Sequence, residues 1–319
     1  MSSSNLSLLI PARNEIFLKQ TVEDALKKIE ADTEIIVVLD GQWSEPRLEQ
    51  HERVNIIYVN KSIGQRAAQN LACKLSKAKY VMKVDAHCSF DKGFDRKMIE
   101  AFKETGDNVT MTPIMRNLWA FSWKCMTCGK KWYMGPEPTK CQNPDCKGVK
   151  FTRKIKWLGK SNPQSYSYRF TNRLEFKYWN GYRKRQVGDI VDTMSLPGSC
   201  FMCTRENYWK KELCNESYGS WGGQGAEVAL KTWLSGGEVK VNKRTWYAHM
   251  FRTQPGFSHP YPNPGGEQKK AKDTLREVFL NDRWSKAKYK LKWLIEKFAP
   301  VPDWTDKDLK KLKENEKGL

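Results

Sequence analysis

Two residues with metal-binding chemistry, Asp85 and His87, directly follow the apolar run Tyr80-Val81-Met82-Lys83-Val84. An acid and an imidazole at i and i+2 on a strand end point the same way. Carboxylate and imidazole together suit manganese or a similar divalent ion. In an open α/β sheet, ligands collect just beyond the carboxyl ends of the strands, which is where this pair falls. Taken alone, the pair is equally consistent with a shared ion and with a solvated strand end.

A second chemical cluster is sulfur. Cys125-x2-Cys128 and Cys141-x4-Cys146 stand twelve residues apart among Lys, Gly and Pro. Two close thiol pairs on knuckle-like turns place four sulfurs around zinc, and four protein ligands leave no open position, so the ion would be structural. The alternative is four free thiols in a surface loop. Cys200 and Cys203 are also spaced Cys-x2-Cys, but their strand-like, apolar context assigns them to the core. Nine cysteines in all, an odd count, give no disulfide framework and imply a reducing compartment.

The third feature is charge. Between Lys147 and Arg185 the chain holds twelve Lys or Arg, one acid (Glu175) and nine aromatics. Basic groups neutralise phosphates and aromatic faces stack unpaired bases, so Lys154, Lys156, Trp157, Arg169, Arg173, Arg183, Lys184 and Arg185 are candidate DNA contacts. Against this stands an insert whose aromatics pack beneath simply solvated charges. The whole chain, 319 residues with 56 basic and 36 acidic side chains, carries a formal charge of +20, which favours polyanionic partners.

The elements that must position these groups are legible in outline. Leu6–Ile10 predicts a buried strand, Phe17–Ala31 a helix, Glu34–Gly41 a second strand and Val54–Val59 a third. A helix follows from about Ser62 to Lys77, and Tyr80–Val84 is strand four. A helix at Phe94–Lys103 and a strand at Asn108–Met115 complete this half. Strand, helix and continuous apolar strand predict a parallel sheet. Gly64 lets the backbone pass close to a ligand.

Several segments carry a resemblance. Asp85-Ala86-His87-Cys88 resembles the Asp-x-His signature of GT-A glycosyltransferases related to the polypeptide N-acetylgalactosaminyltransferases. Trp221-Gly222-Gly223-Gln224-Gly225-Ala226-Glu227 is similar to that family's Trp-Gly-Gly-Glu-Asn-x-Glu segment. Trp233-Leu234-Ser235-Gly236-Gly237 follows, and His249-Met250-Phe251-Arg252 resembles its His-Val-Phe-Arg. Pro11-Ala12-Arg13-Asn14-Glu15 and the strand-end Asp40 resemble the nucleotide pocket of family 2 enzymes.

The resemblance implies a GT-A fold, with a Rossmann-like nucleotide half and an acceptor half, using a UDP-sugar and Mn2+ or Mg2+. His249 becomes the third metal ligand beside Asp85 and His87. Pro11, Arg13, Glu15 and Asp40 would line the uridine site. Gly64, Arg66, Ala86, Gly198, Trp221 and Arg252 would meet the rest of the donor. Gln224 would contact sugar hydroxyls. Gln224-Gly225 stands where inverting relatives carry an acidic base, so the departure fits retaining transfer. Asp85, Gln224 and the remaining carboxylate Glu227 form the expected catalytic set. Thr253–Gly266 resembles a mobile lid.

The expected architecture is therefore an α/β GT-A core (1–118 and 186–268), a four-cysteine zinc-ribbon and basic insert (119–185) and a basic helical C-terminal extension (269–319) whose last fifteen residues read as a frayed tail. No apolar run approaches the roughly 18 residues of a membrane span. Met1-Ser2-Ser3-Ser4-Asn5 lacks a charged leader, so a cytoplasmic protein is expected, with no room for the family's lectin domain. The chain resembles the small glycosyltransferases of phages with modified DNA; its charge and its expected compartment, the host cytoplasm, rather than any motif, suggest a hydroxymethylated pyrimidine in DNA as acceptor. The rival acceptors are a protein Ser/Thr or a surface glycan. A different class is also open: a zinc-ribbon nucleic-acid-binding protein with an inactive GT-A half.

Overall fold

The computed structural model describes residues 4–262 and 265–315. In chain order the elements are β1 (Leu6–Ala12), α1 (Leu18–Lys28), β2 (Thr33–Asp40), β3 (Val54–Val59), α2 (Gln65–Leu75), β4 (Tyr80–Val84), β5 (Cys88–Phe90), α3 (Phe94–Thr105) and β6 (Val109–Cys125). Then come β7 (Lys131–Tyr133), β8 (Phe151–Ser165), β9 (Tyr168–Phe170), β10 (Phe176–Tyr178), β11 (Ile190–Asp192), β12 (Cys200–Thr204), α4 (Arg205–Lys210), α5 (Gln224–Leu234) and β13 (Glu238–His249). Three helices close the chain: α6 (Gly265–Phe279), α7 (Leu291–Phe298) and α8 (Asp306–Asn315).

One mixed sheet runs in the order β11-β13-β6-β12-β4-β1-β2-β3, with β5 added to β13 and with β7 and β8 added to β6. Its nucleotide half is parallel: β1 pairs with β2 and β4, and β2 with β3. Both faces of that half are covered, which is why β2 reads as an unbroken apolar run rather than an alternating one. Ile35, Val37 and Leu39 pack with Val22 of α1 and Met98 of α3. Ile36 and Val38 pack on the opposite face with Ala72 of α2 and Trp233 of α5. Cys200 and Cys203 are fully buried on these two faces, as core residues.

Two expected boundaries do not separate bodies. β6 runs without a break across residue 118, so the insert grows out of the central sheet through the β6–β8 pairing. Its core, including Phe121, Trp123 and Met134, is continuous with Phe17 and Met250 of the nucleotide half. The C-terminal stretch is likewise not an appendage. α6 starts before residue 269, and Leu275, Phe279, Leu291, Leu294, Ile295 and Phe298 are buried in the layer around α5. The expected lid lies partly, and the expected tail partly, outside the described residues. Among the described residues no helix is long and apolar enough to cross a membrane.

Candidate active site

β4 ends at Val84, and the chain turns through Asp85, Ala86 and His87 into β5. β5 pairs antiparallel with the end of β13, with Cys88 opposite His249, and Met250 N donates to His87 O at 3.2 Å. That pairing brings together residues more than 160 positions apart. His249 Nε2 lies 3.0 Å from His87 Nε2 and 3.1 Å from Asp85 Oδ2. Neighbouring ligands of an octahedral ion with bonds of about 2.1 Å stand about 3.0 Å apart, so the donor set and its spacing fit a divalent cation. Burial, and secondarily the nearby His87, lower His249 to about 4, so its imidazole is neutral and able to ligate.

The surrounding groups hold this set in place. His87 Nδ1 donates to Glu15 Oε2 at 2.9 Å, which leaves Nε2 as the ligating nitrogen. Burial would raise the Glu15 carboxyl, but His87 and Arg252 outweigh it and hold it at about 2. Arg252 Nη2 donates to the same Glu15 oxygen at 2.7 Å, while its Nη1 is buried with no partner among the described residues. Lys83 grips Asp85 Oδ1 and donates to Gly198 O at 2.6 Å. Against the cost of burial, Lys83 and His249 keep Asp85 ionised far below the ordinary carboxylate range.

These residues line one cavity of about 1050 Å³ at the carboxyl ends of β1, β2 and β4. Of the expected donor residues, Pro11, Arg13, Glu15, Asp40, Gly64, Ala86, Gly198, Trp221 and Arg252 all line it. The Asp40 carboxylate is already committed: Ser62 Oγ, Ile63 N and Gly64 N donate to it at 2.8, 2.6 and 3.1 Å. It shapes the loop before α2. Gly64, at φ +88°, sits where a β-carbon would fall 2.5 Å from Ser220 Cβ, so two walls of the cavity meet at that glycine.

Two of the expected site residues lie behind the cavity wall and a third lies on it. Arg66 and Glu227 do not face the cavity; both side chains are fully buried and paired at 3.0 Å. Arg66 also donates to Gly219 O and Gly222 O, while Glu227 accepts from Asn215 N and Lys231 Nζ. The pair braces the loop carrying Trp221, and neither side chain lines the cavity. Gln224 does reach the cavity wall, but its amide nitrogen donates to Gln69 Oε1 at 2.7 Å and Cys214 Sγ at 3.0 Å.

The expected DNA contacts are also dispersed. None of Lys154, Lys156, Trp157, Arg169, Arg173, Arg183, Lys184 and Arg185 lines the cavity. Arg169 pairs with Asp303 at 2.5 Å, Arg185 donates to Phe298 O and Ala299 O, and Arg183 stacks on Tyr166. Tyr168, Phe170 and Trp179 are core residues. What the insert does bring to the cavity is Leu174, Glu175 and the β10 residues Phe176, Lys177 and Tyr178. Sequence reasoning also missed Lys83, although its place two residues before Asp85 on the same strand face was a usable signal. Tyr261, half-buried and pushed up to about 12 by burial, stacks on His259 in the segment expected to form the lid.

The mixed α/β fold is of the GT-A type. Residues 7–140 match the model for glycosyl transferase family 2. The chain is similar to polypeptide N-acetylgalactosaminyltransferase 3 of Drosophila melanogaster, 21% identical over 282 residues that cover 78% of this chain and 34% of the fly protein. It is also similar to the putative polypeptide N-acetylgalactosaminyltransferase 13 of the same fly, at 22% identity over 81% of this chain and 43% of that protein. It thus spans well under half the length of these curated relatives. A crystal structure of GalNAc-T7 with UDP, GalNAc and Mn2+ shares the fold with a TM-score of 0.61 at 15% identity, covering 99% of this chain and 55% of that one.

Proposed function

We propose that this protein transfers a sugar from a UDP-sugar to a hydroxyl group, with a divalent cation held by Asp85, His87 and His249. The observation that carries this reading is the convergence of those three ligands at the floor of the cavity framed by the family 2 segments. A cation there would supply positive charge to the leaving diphosphate. Arg252, aligned by Glu15 and with Nη1 unpartnered, offers a second fixed positive charge. Gly198 keeps the wall low where the sugar would lie.

With Glu227 sealed behind Arg66, the first turn of α5 offers no carboxylate base. That supports front-face transfer with retention, in which the leaving phosphate takes the acceptor proton. The anomeric configuration of the product, read by NMR, tests this directly.

For the acceptor, a protein Ser/Thr hydroxyl is the better-supported reading. The similar proteins are named for polypeptide acceptors, and the aromatics Tyr168, Phe170 and Trp179 of the basic stretch are spent on internal packing. A hydroxymethylated pyrimidine in DNA is the second reading, favoured by the exposed Lys177, Lys184 and Tyr178 beside a chain of +20. The deciding experiment incubates the protein with Mn2+, a panel of UDP-sugars, and either Ser/Thr peptides or hydroxymethylated duplex DNA. A hexose or acetylhexosamine mass gain on peptide supports the first reading. Gain on a nucleoside alone replaces it with the second, and UDP-sugar that neither binds nor turns over sinks the whole proposal. The four clustered cysteines are read as a structural zinc centre.

A further inference from the structure

Cys125 Sγ and Cys146 Sγ lie 3.8 Å apart, Cys128 Sγ and Cys141 Sγ 3.6 Å apart, and all four sulfurs lie within 4.8 Å of one another. Sulfurs around a tetrahedral zinc with bonds of about 2.3 Å stand about 3.8 Å apart, whereas a disulfide needs about 2.05 Å. The backbone N–H groups of Asn143 and Gly148 donate to Cys141 and Cys146 at 3.4 Å, as sulfur ligands on tight turns require. The residues therefore fit a closed, four-sulfur zinc site.

The chain between Cys128 and Cys141 is one loop whose two ends such an ion would staple. In its middle, Trp123 Nε1 donates to Gly135 O at 3.1 Å. The outer side of the same loop touches the segment that covers the nucleotide cavity. A β-carbon at Gly135 would stand 2.9 Å from Gln254 Oε1, and Pro136 lies against Gly256. Next to it, the ring of Phe257 meets Phe121 edge-on at 6.0 Å. On either side of this contact, Arg252 and Thr253 line the cavity, as do His259 and Tyr261. Asn14 Nδ2 ties the returning segment by donating to Pro260 O at 2.7 Å.

We propose that Cys125, Cys128, Cys141 and Cys146 hold a zinc ion that shapes the Met134–Pro136 loop into the seat for the cover segment Gln254–Phe257, so that the zinc centre sets nucleotide affinity from outside the cavity. The metal centre stands on the cysteines alone; its effect on affinity rests on the reading of the cavity as a UDP-sugar site.

The test measures tightly held zinc by plasma mass spectrometry and UDP affinity by calorimetry at saturating Mn2+, on the full chain. Wild-type protein retains one zinc per chain, and Cys128→Ser/Cys141→Ser retains none and binds UDP about tenfold more weakly. Because the cysteine variant can also lose local folding, Gln254→Ala/Phe257→Ala supplies an independent arm. It keeps its zinc, weakens UDP by a similar factor, and in combination with the cysteine changes shows no further loss, the non-additivity expected of one coupled unit. Absence of zinc from the wild type overturns the metal centre. Unchanged UDP affinity in zinc-free protein, or additive losses in the combined variant, overturns the seat. Zinc-loaded wild type that binds no UDP overturns the nucleotide reading and leaves the metal centre standing.

Discussion

At the scale of single residues, the site separates groups that can touch a ligand from groups that hold those groups. His249→Ala removes one of three converging ligands; we expect Mn2+-dependent UDP binding to weaken by at least about tenfold to 100-fold, read by calorimetry with and without the ion. Glu227→Gln belongs to the other kind. It leaves Arg66 and Lys231 buried with their charge partner gone, so the expected cost is about 3–5 kcal/mol in urea denaturation. Acid stability follows from Glu15. Its folded value of about 2 lies below the ordinary 4.5, so its contribution is fully present above pH 4.5 and is lost as pH falls through about 2. That loss is on the order of 3 kcal/mol, and Glu15→Gln should remove this part of the pH dependence of the denaturation midpoint. His249 acts in the same direction over a higher window, from its ordinary 6.5 down to about 4.

At the scale of elements, the hairpin of β9 and β10 is the part of the insert that reaches the cavity, with Lys177 and Tyr178 exposed at its rim. Tyr178→Ala and Lys177→Ala should raise the acceptor KM several-fold while leaving UDP affinity and thermal stability nearly unchanged. Steady-state kinetics with donor and acceptor varied separately would show it. The strands and helices of the nucleotide half were legible because each is a short run with one clear period, down to the limits of β3. β6 was not, because its polar stretch past Met115 becomes strand only by pairing with β8, a partner outside any local period. The C-terminal helices read as a basic surface because their charges outnumber the few apolar positions that anchor them.

At the scale of the whole molecule, the charge of +20 is real but unevenly available. Arg169, Arg183 and Arg185 hold the insert to the C-terminal region and to itself, while Lys154, Lys156, Arg173 and Lys184 are exposed. Transfer to a peptide, which has no phosphate backbone, should change little between 50 and 200 mM salt. A DNA acceptor would instead show affinity falling steeply over that range, by an exponent near the number of phosphates contacted.

By itself the sequence determined the α/β class, the parallel nucleotide half, the Asp-x-His pair at a strand end and the four-cysteine cluster. Each is written in local period or short spacing, which survives without knowledge of partners. Only the tertiary structure decided which residues share the cavity. His249 arrives there through a strand pairing across the sheet, and Lys83 becomes Asp85's partner only when Gly198 closes beside it. Arg66 and Glu227, polar and near a motif, look from the chain like ligand contacts. Folding turns them toward each other, because two opposite charges with no route to water are held more cheaply together than apart.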